Sequence, residues 1–135
     1  MRIFLINLDR NPDRLAKFHR VNRHLTNVSR FSAIDGRTID RRKLVERGIF
    51  GENVKYTDGA VGNALSHLRL WNRATGLREP ITVAEDDAIF HRGFEQLAPD
   101  VIAQLPPDWH IIFWGWNFDS CTIFDLLPGV SMIWG

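Results

Sequence analysis

The chain has 135 residues, of which 44% are hydrophobic and 24% charged; this suits one globular domain able to bury its own core. Its single cysteine, Cys121, excludes an internal disulfide framework. No apolar run approaches the roughly eighteen residues of a transmembrane helix, and the stretch Ile3-Phe4-Leu5-Ile6 is too short for a signal peptide and has no small-residue cleavage site after it, so a cytoplasmic location is the expectation.

The formal net charge of +1 hides an asymmetry: residues 1–47 hold 12 Arg or Lys against 5 Asp or Glu, and residues 48–135 hold 5 against 11. Two readings stand side by side. Either the charges are solvated faces that happen to segregate, or a basic half meets phosphates and an acidic half holds a divalent cation. Nucleic acid is not expected as a partner, because the arginines are not interleaved with aromatic residues.

In chain order, the apolar run Arg2 to Leu8 predicts a buried opening strand. Asn11-Pro12-Asp13 starts a helix that reaches about Leu25, with Asn11 as cap, Pro12 at the first helical position and Asp13 in the first turn. Arg30 to Ile34 is a second strand, stopped by the turn pair Asp35-Gly36. A helix from Asp40 to Arg47 ends at Gly48, and residues 51–57 are a loop. Gly59 to Ala74 is the clearest helix, with Val61, Ala64, Leu65, Leu68 and Trp71 in one stripe. Pro80 to Ala84 is a third strand that runs straight into Glu85-Asp86-Asp87. Phe94 to Leu105 reads as a helix interrupted near Pro99, Trp109 to Trp114 as a fourth strand, and residues 117–135 as a hairpin around Pro128-Gly129. The tryptophans of the last third are expected in the core. The order β-α-β-α-α-β-α-β predicts an α/β domain over residues 1–135, with a mostly parallel sheet and helices on both faces.

Three segments carry candidate chemistry. Glu85-Asp86-Asp87 lies between apolar residues, where packing alone disfavours like charges. A divalent cation such as Mn²⁺ or Mg²⁺ reverses that cost, and the end of a strand is where open α/β sheets bind ligands. A solvated acidic turn is the other reading. Asn7 to Arg14 is a strand end that leads into a helix start, where Arg10 and Arg14 can grip phosphate or can pair with Asp9 and Asp13. Gly59 to His67 opens the long helix with glycines that permit close backbone approach. Ser66 and His67 are polar within it, His67 being either structural or a proton carrier. Neither a P-loop nor a Gly-x-Gly-x-x-Gly fingerprint is present.

Together, Ile6 to Arg14, Ala33 to Gly36, Gly59 to His67 with Trp71, and Glu85 to Ala88 resemble glycosyltransferase family 25 over residues 3–90. The resemblance implies a GT-A-like fold, a UDP-hexose donor (most often UDP-galactose), a saccharide or glycolipid acceptor, and Mn²⁺ or Mg²⁺ at an acidic motif. On this sequence it implies metal ligands Asp87, Glu85 and Asp86, with Asp87 foremost, and donor-nucleotide contacts at Asn7, Arg10, Arg14, Asp35, Gly36 and Ser66. Many members carry cysteine where Asn63 stands. Family domains extend further, so an incomplete domain lacking part of the acceptor half is expected. The implied activity is hexosyl transfer in lipopolysaccharide or cell-surface glycan synthesis, with peripheral membrane association through the basic N-terminal region at the inner face. The catalytic base is unassigned; Asp119 and Asp125 are late-chain candidates. The alternatives are a non-catalytic nucleotide-sugar or metal-binding remnant and a metal-dependent nucleotidyltransferase.

Overall fold

The computed structural model describes residues 1–77, 79–115, 122–127 and 130–134. They fall into two compact units, Met1–Ala103 and Gln104–Gly135. No described helix is long and apolar enough to cross a membrane.

The first unit is built on three parallel strands. Strand β1 (Arg2–Asn7) leads into helix α1 (Pro12–Val21) and then β2 (Val28–Ser32). A 3-10 turn (Gly36–Thr38), helix α2 (Arg41–Glu46) and the long helix α3 (Asp58–Leu77) follow. Strand β3 (Ile81–Glu85) and helix α4 (Phe94–Ala103) complete the unit. The sheet order is β2-β1-β3, so the apolar opening strand is central, as a strand buried on both faces must be.

Side chains alternate across the sheet, and that alternation builds two cores. Ile3 and Leu5 of β1 and Ala84 of β3 meet Phe18 of α1, with Leu15, Phe90 and Phe94 packed around them. Phe4 and Ile6 face the other way and meet Leu70 of α3, with Phe31, Ile81 and Val83. Helices α1 and α4 therefore cover one face and α3 the other, which is the α/β architecture expected from the order of elements. Each fully buried Ile, Leu or Phe here contributes about 1.5–3 kcal/mol of apolar burial.

Local signals placed most boundaries. Pro12 stands in the first turn of α1, although the Asn11 side chain makes no capping bond. Asp40 caps α2 by accepting from the Arg42 N–H at 3.1 Å, and Gly48 ends it with φ of 67°. Several expectations differ from the structure. Helix α1 ends at Val21 rather than near Leu25. The expected stripe of α3 is not buried as a whole: Leu68 and Trp71 are exposed, and the buried side is Val61, Gly62, Ser66 and Leu70. Trp114 is exposed rather than in the core. Helix α4 runs unbroken from Phe94 to Ala103 with Pro99 inside it. Pro99 removes one backbone donor, but burial of Ala98 and packing of Phe94 hold the turns on either side. Trp109 to Trp114 forms no strand; Phe113 is 84% exposed and Trp114 37%. A run of apolar residues fixes no period, and a strand exists only where another strand pairs with it.

The second unit contains an antiparallel pair, β4 (Thr122–Leu127) and β5 (Val130–Trp134), with a register irregularity between Asp125 and Leu127. This agrees with the expected hairpin. Its turn residues Pro128 and Gly129 lie outside the described residues, as do Cys121, Trp116 and Asp119.

Asn22, just past α1, ties two segments that lie far apart in the chain. It is buried; its Nδ2 donates to the Ala88 carbonyl at 2.9 Å and to the Phe18 carbonyl at 3.1 Å, and its Oδ1 accepts from the Phe90 N–H at 2.8 Å. It pins the segment that follows the acidic triplet to the end of α1. Asn22→Ala strips partners from buried backbone groups and is expected to lower stability by about 1–3 kcal/mol. Urea unfolding checks this, and an unchanged midpoint would refute the role.

Candidate functional site

All three strands of the first unit are parallel, so their carboxyl ends share one edge. Register pairs Ile6 with Glu85 and Asn7 with Ser32. The end of β1 therefore sits between the end of β2 and the acidic triplet, and the site is assembled around Asn7.

Asn7 is buried and fully engaged. Its Nδ2 donates to Asp86 Oδ2 at 2.7 Å and to the Asn11 carbonyl at 3.1 Å; its Oδ1 accepts from Arg30 Nε at 3.1 Å. Asp86, 8% exposed, also pairs through Oδ1 with Arg14. The same Arg14 nitrogen reaches Asp87 Oδ2 at 3.1 Å, and the Asp87 side chain is 71% exposed. A buried carboxylate is tolerable only when paired in this way.

Strand alternation sorts the triplet. Asp86 follows Thr82 and Ala84 onto the α1 face and meets Asn7 and Arg14. Glu85 follows Val83 onto the α3 face, where its Oε1 accepts from Asn63 Nδ2 at 3.0 Å and lies 3.3 Å from His67 Nε2. The His67 contact holds the Glu85 carboxyl below its ordinary range, against the opposing effect of burial and with help from Asn63.

A second charged group borders the edge. Asp35 pairs with Arg10 and accepts from Arg37 Nε and Nη2, the latter at 2.8 Å. Arg37 beside Asp35 depresses its carboxyl to about 2. Asp9 pairs with Arg30 and accepts from the Ser32 hydroxyl at 2.9 Å; the Arg30 bond, then Ser32, lowers its carboxyl as well. Arg10 and Arg14 thus take partners from other elements rather than from Asp9 and Asp13.

Three further residues act by position. Ser66 is fully buried, its hydroxyl donating to the Gly62 carbonyl at 2.7 Å and accepting from the Ile34 N–H at 2.9 Å. It ties α3 to the loop after β2. Gly36 and Gly62 meet at that junction with no room for a side chain on either: a Cβ on Gly62 would lie 2.3 Å from the Ile34 carbonyl oxygen.

Of the residues singled out from the sequence, the structure brings Asn7, Arg14, Asp86 and Asp87 into one network and pairs Arg10 with Asp35, while Gly36 packs against Gly62. Glu85 stands with Asn63 and His67, and Ser66 lies beneath the surface. The sequence reading missed Asn22, Arg30 and Arg37. Arg30 carried one signal, a cation inside a short strand; the other two had none separable from an ordinary helix end or surface loop. Asp125 falls in β4.

Divalent cations of the Mn²⁺ or Mg²⁺ type use hard oxygens, commonly one or two carboxylates completed by substrate phosphates. Among the described residues no three His, Cys, Asp or Glu side chains converge on a point that could hold a metal ion. Asp86 and Asp87 do reach a common nitrogen, that of Arg14.

A parallel sheet with helices on both faces is an α/β architecture, and the acids and arginines gather at the strand carboxyl ends, the edge where such sheets bind ligands. The family model described as glycosyltransferase family 25 (LPS biosynthesis protein) matches residues 1–123. Proteins described as glycosyltransferase 25 family members from Aedes aegypti and Drosophila pseudoobscura pseudoobscura are each 31% identical over 125 residues, covering 84% of this chain and 21% and 20% of their own. One from Anopheles gambiae is 30% identical over 129 residues, covering 84% of this chain and 21% of its own. The chain belongs to glycosyltransferase family 25. It spans about a fifth of the length of these relatives. No solved structure matches it.

Proposed function

We propose that this chain is the donor side of a GT-A-type glycosyltransferase domain that moves a hexose, galactose being the first candidate, from a UDP-sugar to a saccharide or glycolipid hydroxyl. The observation that carries the reading is the Asn7–Asp86–Arg14–Asp87 network at the carboxyl edge of β1 and β3, built from the segments that define the family likeness.

In this reading Asp86 and Asp87 would hold Mn²⁺ or Mg²⁺, which would offset charge on the diphosphate leaving group, while Glu85, engaged with Asn63 and His67, would not join them. Arg14, half exposed, exchanges its carboxylate partners for phosphate oxygens, and Arg10 supplies a second guanidinium to the same diphosphate. Asn7 fixes the Asp86 carboxylate, so its orientation is set before the donor arrives. Ser66 and Gly36 contribute by placing Asp35 and the start of α3.

Calorimetric titration of the chain with UDP, with and without Mn²⁺, tests the reading. Binding that requires Mn²⁺ and weakens at least tenfold in Asp87→Ala is the expected result. A folded chain that ignores UDP but cleaves a nucleoside triphosphate would point instead to a nucleotidyltransferase.

A further inference from the structure

The α3 face of the site holds polar groups that the diphosphate and cation leave unused. We infer that Asn63, His67, Trp71 and Glu85 form a subsite for one pyranose ring, with Glu85, Asn63 and His67 on its hydroxyls and Trp71 against its C–H face. This rests on the glycosyltransfer reading and deepens it by placing the sugar.

Asn63, His67 and Trp71 are spaced four apart along α3 and so share one side of the helix. Asn63 and His67 converge on a single atom, Glu85 Oε1. Among the described residues the other polar atoms of the trio, Glu85 Oε2, Asn63 Oδ1 and His67 Nδ1, carry no hydrogen bond. Trp71 lies one turn further on, 46% exposed, its ring centroid 5.9 Å from that of His67.

The chemistry selects a sugar over the other groups at hand. A carboxylate and an amide oxygen accept from neighbouring hydroxyls, and an imidazole nitrogen donates or accepts as required. A broad indole covers the apolar side of a pyranose without asking for charge. Phosphate is repelled by Glu85. A half-exposed His–Glu pair contributes little to folding. A site built on hydroxyl recognition also discriminates strongly, because a missing hydroxyl leaves its polar groups unpaired.

The pyranose belongs either to the donor or to the acceptor, and two arms of one experiment separate them. In the first, calorimetry compares UDP with UDP-galactose for the wild-type chain, Asn63→Ala and Trp71→Ala, with urea midpoints confirming that the variants fold. In the second, saturation-transfer NMR follows methyl galactoside with the same three proteins. Loss of at least tenfold in UDP-galactose affinity in both variants, with UDP affinity unchanged, establishes a donor subsite. Loss of methyl galactoside contact in the variants alone establishes an acceptor subsite. Failure of the wild type to bind UDP would sink the glycosyltransfer reading, while variant-sensitive contact with methyl galactoside would still support the subsite. Wild-type and variant chains that treat both sugars alike would overturn the inference.

Discussion

Gly62→Ala is expected to unfold the first unit or to destabilise it by about 3 kcal/mol or more, the upper end of overpacking costs. The added Cβ would lie 2.3 Å from the Ile34 carbonyl oxygen and 2.7 Å from the Gly36 nitrogen. Both neighbours are backbone, so no side chain can swing aside to relieve the clash. The reciprocal change is no milder, since a Cβ on Gly36 would stand 1.8 Å from the Asp58 carbonyl oxygen. Gly76 lies in the same helix with nothing within 4 Å of its virtual Cβ. There alanine meets no obstacle and is expected to be neutral or to stabilise by about 0.5–1 kcal/mol through helix propensity. Urea unfolding of the three variants checks the contrast; similar midpoints for Gly62→Ala and Gly76→Ala would refute the close approach. The contact also bears on the proposed site. It sets the start of α3 against the loop carrying Asp35, and so fixes where Asn63 and His67 stand relative to Glu85.

Asp86→Ala is expected to damage both folding and binding, and Asp86→Asn to separate the two. Removing the carboxylate deprives the buried Asn7 amide of its 2.7 Å acceptor and Arg14 of its closest partner. A hydrogen bond to a charged, nearly buried group sets the scale at about 1.5–3 kcal/mol. Arg14 is half exposed, so water replaces part of what it loses and the lower half of that range is expected. Asparagine keeps an oxygen for Asn7 and should recover most of the stability. It has no charge to offer a cation, so Mn²⁺-dependent UDP binding should stay at least tenfold weaker in both variants. Urea midpoints and calorimetry on the same samples supply the check. Full stability in Asp86→Ala would mean that the Asn7–Asp86 bond does not hold the strand ends together.

Much of this was legible without coordinates. The apolar run at Ile3 to Ile6, the proline at the start of α1, the turn pair Asp35-Gly36 and the glycine-bounded helix α3 are local signals. Each acts through the conformation of a few adjacent residues, so the elements could be read in order. The family likeness rested on the same short segments. Sequence also marked Glu85-Asp86-Asp87 as anomalous, because three carboxylates between apolar residues have no packing explanation.

What sequence alone left open is what depends on pairing across the chain. Which partner Arg10 or Arg14 would take was undecidable while Asp9 and Asp13 stood beside them; the sheet register chose Asp35, Asp86 and Asp87. Trp109 to Trp114 has the composition of a strand, but composition supplies no neighbour for its backbone. The acidic triplet was divided by strand alternation, sending Asp86 toward Asn7 and Glu85 toward Asn63 and His67. Adjacent residues on a strand point to opposite faces, and only the packed helices decide what waits there: an arginine from α1 on one side, an amide and an imidazole from α3 on the other.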